Sequence, residues 1–142
     1  MNVLTGSLVM TLSALFYGLF APYLKKVSEA VPPFMTLALT SGIIAVTAFV
    51  LSLIFERGFD PGILTSKSMI KLIIAVGLLN LLAYWFEILG FQYLPVWQQQ
   101  IFFALIPAFA GVAAFFILGE ALSMKLVYGL IITGIGLYVS VR

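Results

Sequence analysis

The sequence contains no cysteine and no histidine. Without cysteine the chain forms no disulfide bond and has no thiolate nucleophile. Without histidine it cannot hold zinc, copper or haem through imidazole, and it has no histidine acid or base. We therefore expect no cofactor and no metal site.

Charge is also scarce, since only 8% of the 142 residues are charged and 63% are hydrophobic. The formal net charge of +2 is scattered and forms no basic stripe, so we expect no nucleic-acid partner. Soluble domains carry about a quarter charged residues, and a chain of this size cannot bury so much apolar surface. No phosphate loop or nucleophile motif is present, and an enzyme is not expected. The composition predicts an integral membrane protein in contact with membrane lipids.

Long apolar segments divide the chain. A transmembrane helix needs about 20 mostly apolar residues, and five segments meet this length approximately. The predicted spans are residues 4–24, 34–55, 69–94, 96–118 and 124–141, within a single domain of residues 1–142. The period-two alternation of barrel strands is missing. The predicted fold class is therefore an all-α, polytopic membrane protein with five transmembrane helices.

Polar groups concentrate between residues 87 and 120. Glu87 is the only acid well inside a predicted span, and three glutamines, Gln98, Gln99 and Gln100, follow the turn at Pro95. Polar groups cost free energy in surroundings too apolar for water. We therefore expect these side chains to have hydrogen-bonding partners or a function.

Glu87 is the strongest single candidate for a functional residue. Asn80, Tyr84 and Glu87 lie at i, i+4 and i+7, so they share one helix face with Phe91, and this face suits a cavity wall. Apolar surroundings disfavour the charged form of a carboxyl group, so Glu87 could exchange a proton against a substrate cation. The alternative is a structural role, in which Glu87 pairs inside the bundle or lies near the membrane interface.

The glutamines and several aromatic residues are weaker candidates. Consecutive residues point about 100° apart on a helix, so the three glutamines cannot all line one cavity. Gln98 and Gln99 are predicted to contribute to the site, together with the aromatic rings of Tyr17 and Phe102, because aromatic faces attract organic cations. The alternatives are hydrogen bonds to neighbouring helices or headgroups for the glutamines, and placement at the membrane interface for the aromatic residues.

The segment from Phe91 to Gly136 resembles a known family. A span with Pro107 near its middle ends in Leu118-Gly119-Glu120, and a helix with Gly129, Gly134 and Gly136 follows. This pattern resembles one EamA repeat, the five-helix unit of the drug/metabolite transporter superfamily. The first span fits as well, although Tyr17 stands where such repeats carry tryptophan, and Ser41 stands where many members have arginine.

The resemblance also implies how the protein would assemble. Typical members have two such repeats, the second inverted relative to the first, whereas this sequence carries one. A site between inverted repeats would then need two chains in antiparallel arrangement. The basic residues are nearly balanced: Arg57, Lys67, Lys71 and Lys125 fall on the N-terminal side of the predicted spans, and Lys25, Lys26 and Arg142 on the other. This balance favours dual topology, and the alternative is a single orientation with the N-terminus in the cytoplasm.

The resemblance implies a membrane transporter that exports or exchanges small metabolites or lipophilic compounds by alternating access. The predicted working unit is an antiparallel, dual-topology homodimer, with Glu87 as the candidate for proton coupling. The predicted location is the cell (inner) membrane of a bacterium or archaeon. Two alternatives remain: a non-transporting scaffold or accessory half that pairs with another subunit, and a lipid-linked sugar flippase.

Overall fold

The computed structural model of the chain describes residues 3–56, 58, 60–121 and 123–141. Within these ranges it contains helices and turns and no strand. The elements are α1 (Val3–Ala30), α2 (Pro33–Phe55), a 3-10 helix (Pro61–Thr65), α3 (Lys67–Tyr93), α4 (Val96–Phe102), a second 3-10 helix (Phe103–Leu105), α5 (Ile106–Leu118) and α6 (Met124–Val141). The predicted all-α fold class is confirmed.

Four helical segments of the described chain are long and apolar enough to cross a membrane. They are Leu4–Ala30, Pro33–Phe55, Lys67–Tyr93 and Val96–Leu118, and the fifth apolar helix, α6, is shorter. Apolar side chains cover the outside of all these helices, for example Phe49 and Ile43, which are both more than two-thirds exposed in the isolated chain. A bilayer rather than water suits such a surface. The chain is an integral, multi-pass membrane protein.

The first helix runs further than the predicted first span. The span was expected to close at Leu24, ahead of the two lysines, but α1 continues to Ala30 and contains Pro22. Lysine is a good helix former, and its long side chain can reach water from a helix position beyond the apolar core. The end of the apolar segment and the end of the helix therefore differ. Two prolines then start α2, with Pro32 at the N-cap and Pro33 in the first turn.

The fourth span is interrupted at its middle. Proline has no N–H, and its ring collides with the carbonyl one turn earlier, so Pro107 disturbs the preceding turn. The 3-10 helix Phe103–Leu105 occupies this turn, and the N–H of Ile106 donates to the carbonyl of Phe103. The predicted span 96–118 is thus made of two short α-helices joined by a tighter turn.

The Leu118-Gly119-Glu120 segment ends α5. Gly119 has φ 69°, the one positive φ found among the described residues, and the N–H of Glu120 donates to the carbonyl of Ala114 at 3.3 Å. Glycine adopts this left-handed conformation without the steric penalty of a side chain. The conformation gives a physical reason for glycine at this point of the sequence pattern.

The chain divides into two compact units. Residues up to 19, together with residues from 94 onward, form one unit, and Phe20–Tyr93 form the other. In the first unit, α6 packs against α4 and α5. In the second unit, α2 packs against α3, and the short 3-10 helix of the loop also contacts α3.

The buried side chains of the second unit cluster at one end, which we call the packed end. It comprises the last turns of α1, the first turns of α2 and the last turns of α3. Its buried residues are Ala21, Leu24, Ser28, Thr36, Leu37, Ile88 and Phe91. The remaining turns of α2 and α3 are mostly exposed in the isolated chain. The unit is therefore closed by side-chain packing at one end.

Candidate functional site

The predicted polar face of α3 lies partly inside the second unit. Tyr84 and Glu87 are half-buried, and Phe91 is fully buried at the packed end, whereas Asn80 is exposed. The face therefore passes from the exposed part of α3 into the packed end over about three helical turns. Glu87 lies at the point where this face becomes buried, and α3 contains no other acidic residue.

An aromatic contact from α1 borders this face. The rings of Phe20 and Tyr84 have centroids 6.2 Å apart at an angle of 41°. On the neighbouring side of α3, Trp85 stacks on Phe34 of α2 at 5.3 Å and 14°. Such ring pairs stabilise helix contacts by roughly 0.5–1.5 kcal/mol beyond their buried area. Phe20 comes from the interior of α1 and Phe34 from the first turn of α2, and the two rings fix α3 at the turns that hold Tyr84 and Trp85.

Lys25 also contacts this end of α3, which the sequence analysis did not anticipate. Its Nζ donates a hydrogen bond to the carbonyl oxygen of Phe91 at 2.9 Å, and it lies 4.0 Å from Oε1 of Glu29. The sequence alone predicts for Lys25 and Lys26 only a place in the loop after the first span and in the charge balance. The i, i+4 spacing of Lys25 and Glu29 was a signal in the sequence that the helix continues.

The three glutamines differ in burial, as their 100° spacing requires. Gln98 is half-buried, and Gln99 is buried with 5% exposure. Gln100, which was left out of the predicted site residues, is half-buried, and its Nε2 is buried without a hydrogen-bond partner among the described residues. An amide hydrogen that is buried and unsatisfied is costly, so Gln100 joins Gln98 and Gln99 as a candidate ligand-binding residue.

The two aromatic candidates outside α3 are on the surface of the isolated chain. Tyr17 is 56% exposed and Phe102 is 40% exposed. Together with the glutamines they belong to the first unit, whereas Asn80, Tyr84 and Glu87 belong to the second. The predicted site residues thus fall into two sets, one in each unit.

A shallow open groove runs along α2, and none of the predicted site residues lines it. The residues that line it are Ala38, Leu39, Gly42, Ile43, Val46 and Thr47. None of them carries a charge, and Thr47 is the only polar side chain in this lining. The groove can accommodate a lipid chain or another apolar surface, but its lining has no ionisable group for proton coupling or catalysis. Among the described residues there is also no cluster of acidic, cysteine or histidine side chains that could hold a metal ion.

Comparison with known proteins adds one result. Residues 4–142 match the family described as the EamA-like transporter family. A comparison with curated proteins finds no match. A comparison with solved structures finds none either. The family match covers all the helices and all the candidate site residues.

Proposed function

Since this chain belongs to the EamA-like transporter family, we propose that it exports or exchanges small metabolites or lipophilic compounds by alternating access. In this proposal, Glu87 is the acid that couples transport to proton movement. We place the protein in the cell membrane of a bacterium or archaeon. The single observation that carries the coupling role is the position of Glu87, half-buried beside the packed end of α3 in an otherwise acid-free helix.

A half-buried acid inside a span fits the chemistry of exchange. Ionisable groups within membrane spans are costly and commonly mark ion or substrate pathways. Glu87 can bind a proton in one state and face a cationic substrate in another, with the rings of Tyr84 and Phe20 close to the same turn. Competition between proton and cation for one carboxyl group, combined with alternating access, produces antiport.

The test compares Glu87→Gln with Glu120→Gln. Both substitutions remove one carboxyl group, but Glu120 is exposed beyond the end of α5. The purified protein is reconstituted into liposomes that contain a pH-sensitive dye, and ethidium, a lipophilic organic cation, is added outside. We expect proton flux from the unsubstituted chain and from Glu120→Gln, and none above background from Glu87→Gln. Equal flux from both variants would exclude the coupling role, and no flux from any protein would contradict exchange of lipophilic cations.

We further propose that two copies pair in antiparallel orientation. The chain carries one repeat, and its basic residues near the membrane faces are nearly balanced between the two sides, which lowers the bias toward one orientation. An inverted second copy would supply the second half of a site of the kind that inverted repeats form. The alternative outcome is a single orientation with a different protein as the partner.

Cysteine labelling tests the orientation, because the chain has no cysteine of its own. Ala30→Cys and Ala121→Cys place single thiols in exposed positions at opposite ends of the spans and change no charge. With a membrane-impermeant maleimide on intact cells, dual topology predicts that about half of each variant reacts, since both orientations are then present. Full labelling of one variant and none of the other would exclude the dual-topology homodimer.

A further inference from the structure

The contact between Lys25 and α3 joins two helices at the packed end of the second unit. The ammonium group of Lys25 donates to the carbonyl oxygen of Phe91 at 2.9 Å. This carbonyl belongs to the last turn of α3, which ends at Tyr93. Carbonyl groups in the last turn of a helix have no partner within the helix and carry its partial negative charge, so they attract a cation. Lys25 therefore caps the C-terminus of α3 from a different helix.

The surroundings of this contact are closed to water. Ala21 and Leu24 on α1, and Ile88 and Phe91 on α3, are at most 2% exposed. Ser28, one turn after Leu24, is 4% exposed, and its hydroxyl donates to the carbonyl of Lys25 at 2.8 Å. The side chain of Lys25 itself keeps 28% exposure. The lysine thus lies at the margin of the packed end, with its amino group turned toward α3.

A charge-assisted hydrogen bond of this kind is both strong and reversible. It stabilises the contact while it is formed, but an ammonium group that is already partly exposed can return to water when the helices separate. Apolar side chains that separate from one another gain no comparable hydrogen bonds to water. The bond lies one helical turn beyond Glu87, because Glu87 and Phe91 are four residues apart on α3. The bond therefore adds a breakable polar contact to the apolar packing that holds the end of α3 nearest to Glu87 against α1.

We propose that Lys25 is a positioning residue of the transport cycle. Its hydrogen bond to the Phe91 carbonyl holds the packed end closed in the conformation described, and the bond must break for Glu87 to reach water at that end. This inference rests on the proposed transport function. It assigns to Lys25 a role that the adjacent Lys26, which is exposed, does not have.

The first experiment measures closure directly and needs no substrate. Ala21→Cys places a thiol at a fully buried position of α1, one turn before Lys25. The reaction rate of this thiol with a water-soluble maleimide is measured in detergent micelles for four proteins. They carry, besides Ala21→Cys, the natural Lys25, Lys25→Met, Lys25→Arg or Lys26→Met. We expect Lys25→Met to react about tenfold faster than the natural residue, since one charge-assisted hydrogen bond is lost. Lys25→Arg and Lys26→Met should stay at the slow rate.

The second experiment asks whether the contact matters for turnover. In liposomes, with ethidium as the probe, Lys25→Met should lower the maximal exchange rate, because each cycle must return to the closed conformation that the lost bond stabilises. The KM should stay within about twofold, because the substituted group does not act on binding. Lys25→Arg should recover most of the rate, and Lys26→Met should match the natural chain. A purely structural role would lower the amount of folded protein and leave the rate per folded molecule unchanged.

Three results would overturn the inference. They are equal thiol reactivity in Lys25→Met and Lys26→Met, equal exchange rates in these two variants, and failure of arginine to substitute for lysine in both assays. If Lys25→Met is not monodisperse in detergent, Lys25→Gln undergoes the same comparison. Absence of exchange in every protein, including the natural chain, would refute the proposed function, whereas the thiol measurement would still decide whether Lys25 closes the packed end.

Discussion

Replacement of Phe91 by alanine tests whether the packed end is the stable core of the second unit. Phe91 is fully buried there, whereas Phe49, in the middle of α2, is 67% exposed. In a bilayer both the folded and the unfolded helices remain in an apolar medium, so the usual gain from leaving water is absent. What Phe91→Ala removes is packing: a cavity of about 100 Å³ at about 24 cal/mol per Å³ corresponds to roughly 2.4 kcal/mol.

The assay is reversible unfolding in mixed micelles by titration with a denaturing detergent. We expect the free energy of unfolding to fall by roughly 2 kcal/mol for Phe91→Ala and by less than about 0.5 kcal/mol for Phe49→Ala, because Phe49 contacts lipid or detergent in place of protein. Helix content, measured by circular dichroism, should not change in either folded variant. Similar losses for the two variants would refute the location of the core that the structure indicates.

Three further substitutions address single backbone positions. Gly119→Ala puts a side chain at φ 69° and should destabilise the end of α5 by about 1 kcal/mol. Gly129→Ala, in open space within α6, is the control and should be neutral or stabilising. Thermal unfolding of both variants distinguishes backbone strain at Gly119 from steric crowding by the added methyl group. A 3-10 turn within a helix often marks a hinge, and we expect this of Phe103–Leu105 in front of Pro107. Pro107→Ala restores an N–H donor in the fourth span, so it should raise the free energy of unfolding by up to about 1 kcal/mol and slow ethidium exchange. Faster exchange would contradict the hinge.

The fold class followed from the sequence because it depends on segment length and polarity, which are local properties. The bounds of α2 and α6 agree with the predicted spans to within a residue. The end of α1 did not follow, because lysine is compatible both with the end of a membrane span and with a continuing helix. The interrupted middle of the fourth span was only partly predictable: a proline within a helix disturbs the turn before it, but whether that turn becomes a 3-10 helix depends on its geometry.

The candidate site was less predictable, because it depends on which turns of different helices meet. Periodicity placed Asn80, Tyr84 and Glu87 on one face of α3, yet it could not tell that Asn80 lies beyond the packed part of that face. Two partners of this face come from α1, far away in sequence: Phe20 contacts Tyr84, and Lys25 contacts the Phe91 carbonyl. Neither contact has a signal within the segment that contains Glu87.

The position of Glu87 constrains how the proposed exchange can work. Glu87 lies six residues before Tyr93 at the end of α3, a rise of about 9 Å, so in a hydrocarbon layer about 30 Å thick it lies off the middle, on the side of the packed end. In the proposed antiparallel pair, the second copy carries its own Glu87 off the middle on the opposite side. If both packed ends opened together, protons would cross the membrane without a substrate. Coupled exchange therefore requires that the Lys25 contact of one copy forms as the contact of the other breaks, so that the site between the two copies opens to one side of the membrane at a time.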